Sequence, residues 1–312
     1  MSTRVPVTSL DTVQQSILQA LAYFDVFAHP LTREEIIRFS DREGVRADKV
    51  GVALQDLVAQ GMVRKHGAYH GLGDLPTKVA QRMNKEARAK ERMPKAERMS
   101  RLIAGFPFVR GVFLSGSISK GCLAEDGDID FFIITSPGRL WVARTLLVLY
   151  KKIFLLNDRR NFCVNYFIDT EHLAIEDRNR FTATELVTLI PTYGNGLAER
   201  FFDANRWAFD RFPHAHARPS LEVRSGDSRV KRTLERWLSG RPGTWLDGWA
   251  MQLTWYRWKQ KFSDLDPRSF EIALRTRTYV SKHHPRNFQR RVLEAFEARR
   301  KDLEVQARAR MN

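Results

Sequence analysis

The chain's 312 residues, 43% hydrophobic and 11% aromatic, can bury more than one core, which excludes global disorder, collagen-like repeats and low-complexity tracts. Its apolar runs, such as Leu146–Tyr150 and Phe131–Ile134, fall far short of the ~18 residues needed to span a bilayer. The net charge of +16 points to an anionic partner and is unevenly placed: −1 over residues 1–75, +7 over 76–110, −2 over 111–205 and +12 over 206–312.

Residues 1–75 read as a small helical domain. Met1–Leu10 has no apolar stretch of the secretory-signal kind. Val13–Phe27 shows helical spacing at Ile17, Leu18, Leu21, Ala22 and Phe24, and Pro30 ends it. Thr32 and Glu35 form a capping box for a second helix through Phe39. A third helix spans Ala47–Gln60 with Gly61 as its stop, and Met62–Lys65 with Tyr69–Leu72 suggests a hairpin around Gly67. Three helices and a hairpin predict a winged-helix-like unit. Its net charge of −1 argues against DNA binding, since phosphate contacts need cations.

Residues 76–110 form a basic helical linker, dense in Lys and Arg, with an interruption expected at Pro94. In 111–205, the strands Gly111–Leu114, Ile129–Thr135 and Phe162–Asp169 and a helix over Arg139–Leu155 predict an α/β core. On the third strand, period-two alternation groups Val164, Tyr166 and Ile168 on one face and Asn165, Phe167 and Asp169 on the other. Helices are expected at Thr182–Pro191 and Leu197–Phe212. After a Pro213–Ser228 connection, 229–239, 243–262, 267–282 and 285–309 predict a basic α-helical domain over 206–312. The aromatic run Trp245, Trp249, Trp255, Tyr256 and Trp258 falls mostly at helical spacing and is assigned to interhelical core, with a base-stacking platform as the alternative.

The chemistry concentrates between Leu114 and Ile134. A strand ends in Gly116-Ser117, and Asp128-Ile129-Asp130 opens the next. Residues two apart on a strand share a face, so both carboxylates point one way while Ile129 and Phe131 point into the core. Such a pair is repulsive, and a divalent cation relieves it; hard oxygen donors suit Mg²⁺ or Mn²⁺. Gly116 permits close backbone approach to an anion. Glu125 and Asp126 are assigned to solvent. His214, His216, His283 and His284 lack the spaced partners of a metal site. Cys163 is assigned to the core, and two cysteines make neither a disulfide framework nor a thiolate zinc site. A reducing, cytoplasmic setting is expected, with no membrane partner.

The Gly116-Ser117, Gly121, Asp128-X-Asp130 pattern between apolar strands resembles the nucleotidyltransferase superfamily typified by DNA polymerase beta. The resemblance implies an α/β (α+β) catalytic core with a mixed sheet. It implies Asp128 and Asp130 as metal ligands, with two metal ions ~3.5–4 Å apart bridging them to an NTP. Gly116, Ser117 and Gly121 would serve nucleotide binding, and Lys120 is near enough in sequence to contact phosphate or to remain solvated. A third carboxylate is usual on a later strand, where this chain has Asn165. Asp169, on the same expected face and roughly 13 Å further on, is the candidate catalytic acid.

The activity implied is Mg²⁺-dependent transfer of an NMP from an NTP to an acceptor hydroxyl on RNA, protein or a small molecule, with release of pyrophosphate. A second reading is a catalytically weak or inactive module that binds RNA, another polyanion or a partner protein through the basic regions. A third is a nucleotide-responsive DNA-binding regulator.

Overall fold

The computed structural model describes residues 10–41, 45–194, 196–221 and 228–311. The expectation for Met1–Leu10, Leu10 apart, and residues 222–227 of the Pro213–Ser228 connection lie outside the described residues. The chain divides into two compact units, neither contiguous in sequence. The first comprises the described residues up to Asn84, Trp207–His216 and the chain from Gln289; the second comprises Lys85–Arg206 and Ala217–Phe288. Among the described residues, no helix is long and apolar enough to cross a membrane.

In the first unit, α1 (Thr12–Asp25) starts at a capping box between Asp11 and Gln14 and buries Ile17, Leu21 and Phe24. Thr32 and Glu35 form their expected capping box at α2 (Arg33–Arg38). Glu35 also accepts two N–H bonds from the buried Arg82, at 2.6 and 2.8 Å. After α3 (Ala47–Ala59), β2 (Arg64–His66) and β3 (Tyr69–Gly71) form the hairpin. A further strand, β1 (Leu31–Thr32), pairs with β3, so the antiparallel order is β1-β3-β2. Two residues are too short to show a period in sequence.

Helix α4 (Leu75–Ala104) runs unbroken through Pro94, against expectation. Ala89, Ala96 and Ile103 lie seven residues apart on one face and are buried on both sides of the proline, with Met93 and Met99 against the same core. Packing on both flanks outweighs the ~3 kcal/mol cost of an interior proline.

The second unit is built on a mixed sheet, six-stranded among the described residues. β4 (Val109–Ser115), the short α5 (Gly116–Ser119) and β5 (Asp130–Thr135) come first. A crossover through α6 (Leu140–Phe154) leads to β6 (Cys163–Asp169), parallel to β5. The expected helix over Thr182–Pro191 stops early: α7 is Arg180–Thr188, and β7 (Ile190–Tyr193) pairs antiparallel with β4. β7 is an edge strand, where Pro191 loses no necessary ladder bond.

The helix expected over Leu197–Phe212 is broken into α8 (Leu197–Ala204) and α9 (Arg206–Arg211). At the break, buried Asn205 accepts the Ile175 N–H and donates to the Leu173 and Phe201 carbonyls, each at 2.8 Å. α10 (Arg229–Leu238), α11 (Arg241–Lys261) and α12 (Pro267–Ala273) follow. The helix expected to reach residue 282 instead turns into the hairpin β8 (Thr276–Arg277) and β9 (Val280–Lys282), and β9 pairs with β6. The open edge of β6 captures this segment's backbone bonds, so residues 206–312 are not all-helical. α13 (Phe288–Met311) ends the described chain. The sheet order is β7-β4-β5-β6-β9-β8.

One face of the sheet buries Ile129, Phe131, Ile133, Val164 and Phe167 with Trp141 and Leu147 of α6. On the other, the Phe132 ring meets Tyr166 at 5.1 Å and Phe201 at 5.2 Å. Of the aromatic run on α11, Trp258 is buried against Trp141, whereas Trp245, Trp249, Trp255 and Tyr256 are exposed rather than interhelical.

Candidate functional site

β4 and β5 bring the Gly116 turn onto the acidic pair. Ser115 is the ladder partner of Asp130, so the chain leaves β4 directly beside that carboxylate. Gly116 has φ +67°, and a Cβ there would lie 2.4 Å from Asp130 Oδ2. Only glycine meets both the left-handed backbone and the close approach. Ile129 and Phe131 are buried in the core, which leaves Asp128 and Asp130 on the opposite side of the chain.

The third position is decided by an irregularity in β6. The β5–β6 register pairs Phe131 with Val164 and Phe132 with Tyr166, passing over Asn165 as a bulge. Val164 and Tyr166, expected on one face, therefore lie on opposite faces, Val164 in the core with Phe131 and Tyr166 against Phe132. The bulge aims Asn165 at the acidic pair: its Nδ2 donates to Asp130 Oδ1 at 3.2 Å and to Cys163 Sγ at 2.8 Å. The Cys163 thiol in turn lies 4.0 Å from Asp128 Oδ2. Cys163, assigned to the core from sequence, is buried as expected, and its thiol also lines the site.

Asp169 is not brought to the pair. It is the ladder partner of Thr135, five residues beyond Asp130 and so about 16 Å along the strand. Beyond the bulge it lies two residues from Phe167 and shares its core face, so it also sits on the face away from Asp130. Buried Asp169 Oδ1 accepts the N–H groups of Glu171 and His172, at 3.0 and 2.9 Å, and lies 2.8 Å from His172 Nδ1. These are the contacts of a turn-capping residue.

Lys120, the phosphate candidate, is engaged within the protein. Its Nζ donates to the Gly116 carbonyl at 2.9 Å and to both Glu185 oxygens at 2.8 Å. Glu185, on α7, has no local sequence signal; only tertiary packing brings it to this loop. Ser117 is half-buried in the turn, and exposed Gly121, φ +69°, closes α5 by donating its N–H to the Ile118 carbonyl at 3.0 Å.

Burial pushes the Asp130 carboxyl up to about 7, and the charges of Asp128 and Glu185 add to the rise while the Cys163 thiol and Lys120 oppose it. Asp128 is also raised, by burial and then by Asp126. Burial raises the Cys163 thiol as well, so it stays protonated near neutral pH. Lys151 at the end of α6 contributes an opposing positive field at Asp128, and its own ammonium is lowered by burial.

Among the described residues no cluster of three or more His, Cys, Asp or Glu is placed to hold a metal ion. The donor set at the site is two carboxylates and an amide. Mg²⁺ is commonly held by one or two carboxylates with water and substrate phosphate completing its shell, so these residues fit it. The Gly116 cradle, closed by any Cβ, fits the same reading. Comparison with protein-family models, with curated proteins and with solved structures finds no match.

Proposed function

We propose that the second unit is a Mg²⁺- or Mn²⁺-dependent nucleotidyltransferase, moving an NMP from an NTP to an acceptor hydroxyl. The observation that carries this reading is the apposition of Gly116 to Asp130, which joins an anion-permitting turn to a carboxylate pair whose charge is unfavourable without a cation. Asp128 and Asp130 would hold the metal, and a rotated Asn165 amide offers its oxygen as a further neutral donor. When bound, the metal supplies Lewis acidity at the phosphoryl oxygens and neutralises developing charge. The turn at Gly116 and Ser117 orients the phosphates, and Lys120 can reach them on exchanging its bond to Glu185. The β1-β3-β2 sheet with α1–α3 supports a winged-helix-like reading of the first unit.

Asn165 favours a second reading, a catalytically weak or inactive nucleotide-binding module. An amide can coordinate a metal but cannot accept the proton of an attacking hydroxyl. Calorimetry with the four NTPs, in Mg²⁺ and in EDTA, tests binding; transfer of α-phosphate label to RNA, protein and metabolite fractions tests chemistry. Metal-dependent NTP binding with transfer supports the enzyme, and the same binding without transfer supports the inactive module. Equal NTP affinity in EDTA and Mg²⁺ overturns the metal site.

A further inference from the structure

At the end of α6 the chain sets an apolar tip, Ile153 to Leu156, between the cation pairs Lys151-Lys152 and Arg159-Arg160. Ile153 is 63%, Phe154 69% and Leu156 90% exposed, and Leu149, one turn before Ile153, is exposed too. Successive helical residues point about 100° apart, so Ile153 and Phe154 project in different directions. Among the described residues, none of the four cations is ion-paired. The one acid of the segment, Asp158, accepts the Asn161 N–H at 3.0 Å and its side-chain amide at 2.7 Å.

Hydrogen bonds hold the tip in this shape. Leu156 and Asn157 both have left-handed backbones, φ +47° and +60°, an unfavourable state for a side chain as bulky as leucine. The Asn157 N–H donates to the Lys151 carbonyl at 2.9 Å, and the Asp158 N–H to the Leu155 carbonyl at 2.8 Å. Arg92 donates to Asn161 Oδ1 at 2.6 Å, and the Phe154 ring stacks on Tyr150 with centroids 5.0 Å apart. The fold thus fixes a strained turn with its largest apolar side chains in water.

We infer that this tip docks the second unit on a bilayer containing anionic phospholipid, with its apolar side chains among the acyl chains and its cations at the headgroups. A fluid apolar phase accepts side chains that project in several directions, whereas a protein groove meets one face. Each cation near an anionic bilayer adds electrostatic attraction. A second copy of the chain carries the same cations, and tip-to-tip pairing would oppose them. A nucleic acid would engage the cations and leave Ile153 and Leu156 in water. The expectation of no membrane partner rested on spanning length, which an interfacial anchor does not need: it combines shallow apolar insertion with charge attraction. The Arg160 carbonyl accepts the Ile129 N–H at 2.9 Å, so docking brings the segment carrying Asp128 and Asp130 toward the bilayer surface.

The test sediments the full chain with vesicles of phosphatidylcholine, alone or with phosphatidylserine, without NTP or divalent metal, so the result stands apart from the transfer reaction. Affinity should be at least ~10-fold higher for the vesicles containing phosphatidylserine. Phe154→Ser with Leu156→Ser should cut that affinity at least ~10-fold through lost insertion. Lys152→Gln with Arg159→Gln should cut it at least ~10-fold and weaken its salt dependence. All four positions are exposed, and circular dichroism checks that the variants stay folded. Absent wild-type binding to the anionic vesicles overturns the inference. So does binding that the Phe154/Leu156 change leaves intact, which would mark adsorption by the chain's overall positive charge. A dimer in light scattering that the same change dissolves, without vesicle binding, would assign the tip to a second copy instead.

Discussion

The side-chain amide of Asn165 donates to Asp130 Oδ1 at 3.2 Å from the residue of β6 that the parallel ladder passes over. A neutral donor at that point holds a buried carboxylate that another acid would repel. Asn165→Asp should therefore destabilise the metal-free protein by about 1–3 kcal/mol at pH 8. Mg²⁺ should restore more stability to the variant than to the wild type, and label transfer should rise. Thermal melts in EDTA and in Mg²⁺ read the first two effects. Identical melts for both proteins in EDTA would place residue 165 outside the carboxylate field.

Gly116 and Gly121 both have left-handed backbones, but only a Cβ at Gly116 meets a carboxylate. Gly121→Ala should cost about 1 kcal/mol from backbone strain alone. Gly116→Ala should cost about 2–4 kcal/mol and displace Asp130 as well. Urea denaturation of the two variants orders the costs; equal losses would show that the Gly116–Asp130 approach adds nothing.

The acidic centre predicts an unusual pH dependence. Asp130 has an ordinary value of 3.8 and sits near 7 in the folded state, so between those values the native protein holds a proton the unfolded chain has released. Stability falls as pH rises across that window: the cost is absent below about 4 and complete above about 7. It amounts to about 2–4 kcal/mol. Asp130→Asn should raise stability at pH 8 and flatten the curve between pH 5 and 8. Chemical denaturation at both pH values checks this, and parallel curves for wild type and variant would show that Asp130 is not the group responsible.

Asp169 serves the turn after β6. Asp169→Ala removes the acceptor for the Glu171 and His172 N–H groups and should cost about 1–3 kcal/mol. NTP affinity and transfer should stay within about twofold of wild type, since the residue lies on the far face of the sheet. A loss of transfer approaching ~10²-fold, with NTP affinity kept, would return Asp169 to the role of catalytic acid.

What the sequence determined by itself is local. The Thr32–Glu35 capping box, the strand on each side of the Gly116 turn and the Asp128–Asp130 pair on one side of the chain all follow from spacings of two to four residues. Period-two alternation also separated Ile129 and Phe131 from the acids, because one regular segment carries its own face pattern. Tertiary structure decided everything that depends on a partner strand or a distant side chain. The bulge at Asn165 arises from pairing with β5; it reverses the alternation beyond it and carries Asp169 to the opposite face. β7 and β9 are strands because sheet edges accept their backbone bonds, and at four and three residues each is too short to show a period of its own in sequence. Lys120 meets Glu185 across 65 residues, and Lys231 faces inward because the Ala104 and Val109 carbonyls await it. Hydrophobic spacing marks which face of α10 is apolar, but the polar contacts on its other side turn that face to solvent.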